Sequence, residues 1–134
     1  MTNRVFLSYA GHDRDWVRAF ATTLRDSGVA TFFDKSDIEP GEDWQEKIEQ
    51  ALRESNTLVV VLSPDSLKSP WGFFELGAAV ADKKRIIPVI AQDVDISQVP
   101  LPVRRFQMVR EESPIEAGKR VAGVIERGNA PKKD

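Results

Sequence analysis

Residues 58–62 read LVVVL, a continuous run of apolar and mostly β-branched side chains. Runs of this length and composition are typical of strands that are covered on both faces, as in a parallel sheet. The chain repeats the pattern as VFLSY at 5–9, ATFF at 30–33 and IIPVI at 86–90, and more weakly as FQMV at 106–109. Pro88 has no N–H for a sheet, so the fourth strand is predicted to lie near an edge or at a bulge.

Between these runs the apolar residues recur with the period of a helix. The first helix has its apolar side chains three and four positions apart, at Val17, Phe20, Ala21 and Leu24. Asp43, followed three residues later by Glu46, is a capping pattern that opens a second helix. The apolar stripe of this second helix consists of Trp44, Ile48, Ala51 and Leu52.

Two Ser-Pro pairs predict the remaining helices. Serine is a good cap, and proline is tolerated in the first helical position because its missing N–H has no partner there. Residues 69–70 open a helix that runs to residue 81, and residues 113–114 open a last helix through Val121, Val124 and Ile125. Residues 93–103 are rich in Pro, Asp and Ser and are predicted to be a loop with at most one short helix.

The alternation of strands and helices predicts an α/β domain with an open parallel sheet of about five strands and helices on both faces. A chain of 134 residues suits one such domain, which we assign to residues 1–127. Residues 128–134 read GNAPKKD and are predicted to be a C-terminal tail or linker. A linker at this position is consistent with one domain of a longer protein.

Composition excludes several classes of function. The chain has no cysteine and a single histidine, His12, so neither a thiolate nor a multi-histidine metal site is expected. A formal net charge of −2 gives no general attraction to nucleic acid. No apolar run approaches the roughly 18 residues of a membrane helix, and the N-terminus has no signal-peptide core, so we expect a cytoplasmic location and no membrane partner.

Three common ligand sites of open parallel sheets are missing from the ends of the predicted strands. Residues 10–13 read AGHD, which is not the G-x-G-x-x-G turn of a dinucleotide-binding fold, and no Walker phosphate loop occurs. A phosphorelay receiver needs carboxylates at strand ends that here hold Ser8-Tyr9 and Leu62-Ser63. These cofactor and phospho-acceptor interpretations are therefore excluded.

One carboxylate stands alone in an apolar helix. Residues 71–81 read WGFFELGAAVA, with Glu75 as the only polar side chain. Trp71 and Glu75 are four residues apart and so share one helix face, which can point at the carboxyl edge of the sheet. A carboxylate in apolar surroundings costs several kcal/mol unless it is paired or shifts its pKa. Either Glu75 has a functional role, or it reaches solvent or pairs with a lysine.

The segment 34–43, DKSDIEPGED, is long and acidic for a connection between a strand and a helix. Its Ile38 has no local apolar partner, which favours a lid or a contact loop. A solvated, charged loop explains the same residues equally well.

In these motifs the chain resembles a TIR domain, the Toll/interleukin-1 receptor/resistance fold, of the bacterial type. Residues 5–10 with His12-Asp13 resemble the first box of the family, and residues 33–41 resemble its BB loop. Residues 59–63, 69–71 and 75–76 resemble the strand and helix that follow, and residues 86–90 resemble the fourth strand. Residues 106–108 match the third box only loosely.

The resemblance implies a flavodoxin-like sheet in the order 2-1-3-4-5 and, in many members, hydrolysis of NAD+ by a glutamate in the Trp-x-x-x-Glu motif. Here that glutamate is Glu75, with Trp71 beside it. NAD+ is then a substrate, and no cofactor is needed. Further expected substrate contacts are Ser8, Tyr9, Ala10, Phe33, Asp37, Ile38 and Ser63.

The resemblance also implies activation by self-association through residues 34–43, with a fused or partner sensor domain and a role in bacterial immune signalling. Two other functions stay open at this point. One is an adaptor that binds other TIR domains without catalysis, and the other is a nucleotide sensor that binds without turnover.

Overall fold

Five parallel strands form one sheet in the structure, a computed structural model that describes residues 4–32, 40, 41, 43–68, 85–92, 94–99, 104 and 106–129. The strands are β1 (Arg4–Ser8), β2 (Ala30–Phe32), β3 (Thr57–Leu62), β4 (Arg85–Ile90) and β5 (Val109–Arg110). Their order is β2-β1-β3-β4-β5, and every neighbouring pair is parallel. The predicted flavodoxin-like order 2-1-3-4-5 is confirmed.

The central strand β3 is buried along its whole length. Val59 and Val61 join the core cluster on one face of the sheet, whereas Leu58 and Val60 join a second cluster on the other face. Because both faces are covered, the strand needs no polar alternation, which is why its sequence is continuously apolar.

Two helices, α1 (Arg14–Asp26) and α3 (Pro114–Asn129), cover one face of the sheet. The buried side chains of α1 are the four that the period predicted, Val17, Phe20, Ala21 and Leu24. In α3, Gly118 lies against Thr23 of α1, where an added Cβ atom would be 2.7 Å from the Thr23 Cβ. Since real Cβ atoms do not approach so closely, the helix contact requires glycine.

The end of α1 turns the chain into β2 through a Schellman motif. The Val29 N–H donates to the Leu24 carbonyl and the Gly28 N–H donates to the Arg25 carbonyl, both at 3.0 Å. Gly28 has a φ of +86°, a left-handed conformation that favours glycine.

The helix α2 (Trp44–Glu54) covers the other face of the sheet. The Glu46 N–H donates to Oδ1 of Asp43 at 3.3 Å, which confirms Asp43 as the predicted cap. Ala51 and Leu52 pack against the second core cluster as predicted. The side chains of Trp44 and Ile48 lie outside the described part of the structure.

The predicted cap of the last helix is also present, because the Glu116 N–H donates to Oγ of Ser113 at 3.3 Å. Val121 and Ile125 are buried and Val124 packs against the same core. Helix α3 continues to Asn129, two residues beyond the end assigned to the domain from sequence.

The fifth strand is predicted at residues 106–109, whereas the described strand is Val109–Arg110, so the strand exists but only Val109 of the predicted run belongs to it. Phe106 and Met108 are half-buried against the second core cluster, so their apolar character reflects packing and not strand pairing. Pro88 lies near the edge as predicted. Strand β4 is second from the edge and pairs with β5 only at Val89 and Ile90, beyond the proline.

Three predicted segments remain untested or only partly tested. The helix at 69–81 and the residues 33–39 of the acidic loop lie outside the described residues. Within residues 93–103, a short 3-10 helix spans Ile96–Gln98, as expected for this loop. In the part of the chain that is described, no helix has both the length and the apolar character needed to span a bilayer.

Candidate active site

The carboxyl ends of β1 and β3 lie side by side at the point where the strand order reverses. Ser8, the last residue of β1, is in register with Val60, and Ser63 follows directly after β3. Open parallel sheets bind ligands in the crevice at such a reversal. The structure therefore brings Ser8 and Ser63 to the edge where the sequence predicted a site.

Both serines are covered by protein. Ser8 is 7% exposed and Ser63 is 0% exposed. A buried hydroxyl costs free energy unless it has a hydrogen-bond partner, and the Ser63 hydroxyl has one in Asp13.

Tyr9 and Ala10 continue from β1 and are both half-buried. The Tyr9 side chain packs against the core cluster on the α1 and α3 face. The Ala10 carbonyl accepts the Asp13 N–H at 2.9 Å and so closes the 3-10 turn Gly11–Asp13. These contacts hold the first turn after β1 in a defined position above the sheet edge.

A hydrogen bond from Ser63 to Asp13 joins the ends of two elements across this edge. The Ser63 Oγ donates to Oδ2 of Asp13 at 2.5 Å, over a separation of 50 residues. Asp13 stands immediately before α1, and Ser63 stands immediately after β3. The contact therefore ties the start of α1 to the exit of β3.

Asp13 lies in the first-box motif, from which the sequence predicts no role for it in the site. An Asp directly before a helix normally caps it, but this carboxylate makes no side-chain hydrogen bond to the α1 backbone. Its oxygen accepts the Ser63 hydroxyl instead. The sequence signal that could have found this role is the adjacency of the first and third strand ends in the predicted sheet order.

Ser63 also begins the connection toward the predicted helix at 69–81. Its carbonyl accepts the Leu67 N–H at 3.2 Å, and a 3-10 turn follows at Ser66–Lys68. The Asp13–Ser63 contact thus restrains the point from which the chain leaves for residues 69–81.

The other predicted site residues are not among those that the structure describes. They are Glu75, Trp71, Phe33, Asp37 and Ile38. The catalytic and loop assignments for these residues therefore stay predictions. Within the described ranges, no group of three or more His, Asp or Glu side chains is placed to hold a metal ion.

A cavity of about 350 Å³ lies at the opposite, amino end of the sheet, between β1, β2 and α2. Arg4 and Glu54 form an ion pair at its rim, and Ala30 and Ala51 contribute small side chains to its wall. This cavity is separate from the strand ends at which the sequence predicted the site.

Comparison with known proteins agrees with the architecture and the motifs. The sequence model of the TIR domain family matches residues 5–120. A crystal structure of the TIR domain of the Toll-related receptor TRR-2 from Hydra magnipapillata superimposes with a TM-score of 0.70 and 28% identity, covering 92% of each chain.

Two curated relatives share part of their length with this chain. The 2' cyclic ADP-D-ribose synthase AbTIR of Acinetobacter baumannii is 37% identical over 90 residues, which cover 63% of this chain and 34% of the relative. The NAD(+) hydrolase PdTIR of Paracoccus denitrificans is 33% identical over 92 residues, which cover 63% and 30%. The match thus spans about a third of each relative. The family match over residues 5–120, the sheet order and the first-strand motif agree, and this chain belongs to the TIR domain family.

Proposed function

We propose that this chain cleaves NAD+ at the bond between nicotinamide and ribose. The products are nicotinamide and either ADP-ribose or a cyclic ADP-ribose. The observation that carries the proposal is the similarity to relatives named as a 2' cyclic ADP-D-ribose synthase and an NAD+ hydrolase, at 37% and 33% identity. Glu75, in the sequence Trp-x-x-x-Glu from Trp71, is the residue to which we assign the chemistry.

The chemistry requires negative charge beside the sugar more than it requires an acid. When the bond between ribose C1′ and the pyridinium nitrogen breaks, its electron pair stays on nitrogen, and nicotinamide leaves as a neutral molecule. Positive charge then develops on the ribose, and water or a ribose hydroxyl attacks C1′ and gives up a proton. An ionised Glu75 stabilises this charge by the same electrostatic logic that serves glycosidases.

The residues at the carboxyl ends of β1 and β3 support this proposal. Ser63 is fully buried and donates to Asp13, which suits a role in holding the chain that leads to residues 69–81. Half-buried Tyr9 and the predicted Trp71 are assigned as aromatic walls for nicotinamide or ribose. Ser8 and Ala10 line the turn at the end of β1, and Phe33, Asp37 and Ile38 are assigned to substrate contact from the loop.

Activation by self-association belongs to the same proposal. Residues 34–43 contain five acidic side chains, and the described Pro40, Gly41 and Asp43 are exposed. We assign this acidic segment to covering the proposed site or docking on a second TIR domain, so the chain is expected to be more active when assembled. A fused or partner sensor domain would drive the assembly, and we place this activity in cytoplasmic bacterial immune signalling.

The test is an incubation of the purified chain with NAD+ at a series of protein concentrations, with nicotinamide followed by chromatography. We expect nicotinamide release that rises more steeply than protein concentration. Glu75→Gln should abolish release, whereas Glu126→Gln, which removes an exposed carboxylate from α3, should leave it unchanged.

The outcomes separate the candidate functions. Unchanged turnover in Glu75→Gln would remove that residue from the mechanism. Association without nicotinamide release would instead assign the chain as an adaptor. Saturable NAD+ binding by a monomer without turnover would assign it as a nucleotide sensor.

A further inference from the structure

Among the residues that the structure describes, the buried polar side chains are Ser8, Ser55, Thr57 and Ser63. A buried hydroxyl gives up its hydrogen bonds to water, so a fold normally supplies a partner for it. Ser55 donates from Oγ to the Ala51 carbonyl at 2.6 Å, and Thr57 donates from Oγ1 to Oδ1 of Asn56 at 3.4 Å. These two hydroxyls, at the amino end of β3, therefore have partners within the fold.

The two serines at the carboxyl edge of the sheet differ from each other. Ser63 has no exposed surface, and its hydroxyl donates to Oδ2 of Asp13 at 2.5 Å. Ser8 is 7% exposed, and in the described part of the chain its hydroxyl makes no hydrogen bond. Ser8 is thus the exception among these buried hydroxyls, and an exception of this kind in a native fold requires an explanation other than ordinary packing.

Ser8 and Ser63 also lie on opposite faces of the sheet. Successive side chains of a strand alternate between the two faces. In β1, Leu7 belongs to the core cluster on the α1 and α3 face and Phe6 to the second cluster, so Ser8 lies on the α2 face. Ser63 reaches Asp13, which immediately precedes α1, and so lies on the other face. The Ser8 hydroxyl is therefore separate from the contact that joins α1 to β3.

The neighbours of Ser8 on the α2 face are apolar. Val60 of β3 is its partner in register, and both Val60 and Leu62 belong to the second core cluster. On the other side of β1, Phe32 stacks on Phe6 with 5.4 Å between the ring centroids. The Ser8 hydroxyl is thus a polar group at an apolar strand end. Small-molecule sites are built in this way, since a few polar groups among apolar ones fix the orientation of the ligand.

We propose that the Ser8 hydroxyl forms a hydrogen bond with the substrate and determines how tightly NAD+ binds. This inference rests on the proposed function and divides the work at the strand ends, because Ser63 holds the fold and Ser8 contacts the substrate. A hydroxyl both donates and accepts, so it suits a ribose hydroxyl or the nicotinamide carboxamide, which also offer both functions. A site that leaves its own buried polar group unpaired discriminates against ligands without the matching group.

The first test is the stability of the chain without substrate. Ser8→Ala removes a hydroxyl that has no partner in the fold, so the Tm should stay within about 1 °C of the parent or rise. Ser55→Ala is the matched control, because it removes a buried hydroxyl that has a partner, and it should lower the Tm by about 3 °C or more. An equal loss in both variants would show that the Ser8 hydroxyl is satisfied within the fold and would overturn the proposal.

The second test is the binding of NAD+, measured by calorimetric titration of Glu75→Gln, in which cleavage is expected to be abolished. Adding Ser8→Ala to this variant should weaken NAD+ binding about five- to tenfold, as expected for the loss of one hydrogen bond in a buried site. Adding Ser55→Ala should change the affinity by less than about twofold, because that serine lies at the opposite end of the sheet. Unchanged affinity with Ser8→Ala, or an equal loss with both, would overturn the proposal.

The two product fragments locate the contact on the substrate. Nicotinamide has the carboxamide and no ribose, whereas ADP-ribose has the ribose hydroxyls and no carboxamide. Weaker binding of one of them with Ser8→Ala identifies the group that meets the hydroxyl, and unchanged binding of both would contradict the contact.

The outcomes keep this inference distinct from the proposed catalysis. If the parent chain binds NAD+ without releasing nicotinamide, the proposed catalysis fails, and the affinity of Ser8→Ala still decides the role of the hydroxyl. If Glu75→Gln still cleaves NAD+, the assignment of Glu75 fails, and the same comparison is made from KM in the active chain. If the parent chain does not bind NAD+, both proposals are overturned.

Discussion

The two faces of the sheet differ in how closely one helix contact on each is packed. On the face of α1 and α3, Gly118 leaves no room for a methyl group, since an added Cβ would lie 2.7 Å from the Thr23 Cβ and 3.2 Å from the Phe20 carbonyl oxygen. On the face of α2, a cavity of about 350 Å³ lies between the C-terminal part of that helix and the amino ends of β1 and β2. One face has no free volume at this contact, and the other has enough for a small ligand.

This difference in packing indicates which elements around the candidate site can move. Helix α1 is held tightly, whereas α2 has room to shift. The tight face holds α1, and Asp13, which immediately precedes this helix, accepts a hydrogen bond from Ser63 at the end of β3. The loose face is built from β2 and α2, the two elements that flank residues 33–43. A packed interface resists displacement, whereas a helix beside a cavity can shift with smaller losses of contact. The strand ends are thus held from one face, while the loop is attached to the other.

The largest effect is expected at the tight contact. Gly118→Val should destabilise the domain by about 3 kcal/mol, because the new side chain overlaps Thr23 and the two helices must separate. Urea unfolding of the variant measures this loss. Glu126→Val adds the same residue to the exposed side of α3 and serves as the control. Equal stability of the two variants would show that the helix contact is not tight.

The next largest loss of stability is expected when the hydrogen bond between Asp13 and Ser63 is removed. Asp13→Ala should cost about 2 kcal/mol, because a charge-assisted hydrogen bond to a buried hydroxyl is lost. A double-mutant cycle with Ser63→Ala isolates the pairwise interaction, which we expect to be about 1–2 kcal/mol. A coupling near zero would mean that the two side chains do not stabilise each other.

The same pair tests whether the link positions the site. If Asp13 restrains the chain that leads to Glu75, Asp13→Ala should lower kcat for NAD+ cleavage more than it changes KM. Asp13→Asn retains an acceptor oxygen and should recover part of the activity. A purely structural role would leave kcat unchanged in variants that remain folded at the assay temperature.

A smaller effect compares one substitution on both faces. Ala21 of α1 is 1% exposed, whereas Ala51 of α2 lines the cavity. Alanine to valine has a similar intrinsic cost in either helix, so the difference between the variants reports packing. Ala21→Val should be less stable than Ala51→Val by about 1–2 kcal/mol in chemical unfolding. The reverse order would contradict the assignment of the loose face.

The smallest effect is expected at the rim of the cavity. Hydrogen bonding from Gln50 and the nearby Arg4 lower the pKa of Glu54 below its usual value of 4.5. A carboxylate with a lowered pKa in the folded state stabilises the fold above its unfolded pKa, and this contribution is lost as pH falls through the folded pKa.

Glu54→Gln should therefore lower the Tm slightly at pH 7. The difference from the parent should disappear as the pH is lowered from about 5 to well below 4.5, and it should shrink in high salt at neutral pH because the group is exposed. Thermal scans across this range measure it. A difference that persists unchanged at acidic pH would assign the effect to lost side-chain packing.

Local sequence patterns predicted helices and their caps well, because in these positions an apolar residue is present only to be buried and a Ser or Asp only to cap the helix. The buried side chains of α1 follow the helix period, and Asp43 and Ser113 cap their helices through the expected hydrogen bonds. The position of β5 could not be predicted in this way, because Phe106 and Met108 are apolar for packing against a distant cluster. Apolar character alone does not distinguish a strand from a segment that covers the core.

In the candidate site, too, some features follow from local sequence patterns and others do not. Ser8 and Ser63 were placed at the correct edge, because each follows a readable strand and parallel strands end at one edge. Asp13 was missed as a partner of Ser63, because its sequence context is that of an ordinary helix cap. The clustering of Arg104, Arg110 and Arg120 on one surface is not predicted either, since it arises only when α3 lies beside β5.

The amino-acid sequence by itself determined the kinds of element, their caps and the parallel sheet, because these follow from short-range periodicity and from the need to cover both faces of each strand. Only the tertiary structure decided which carboxylate accepts the hydrogen bond from Ser63 and where free volume lies between α2 and the sheet. It also decided that Arg104, Arg110 and Arg120 lie on one surface. Those features join residues far apart in the chain, and their physical cause is packing between whole elements, which no local pattern encodes.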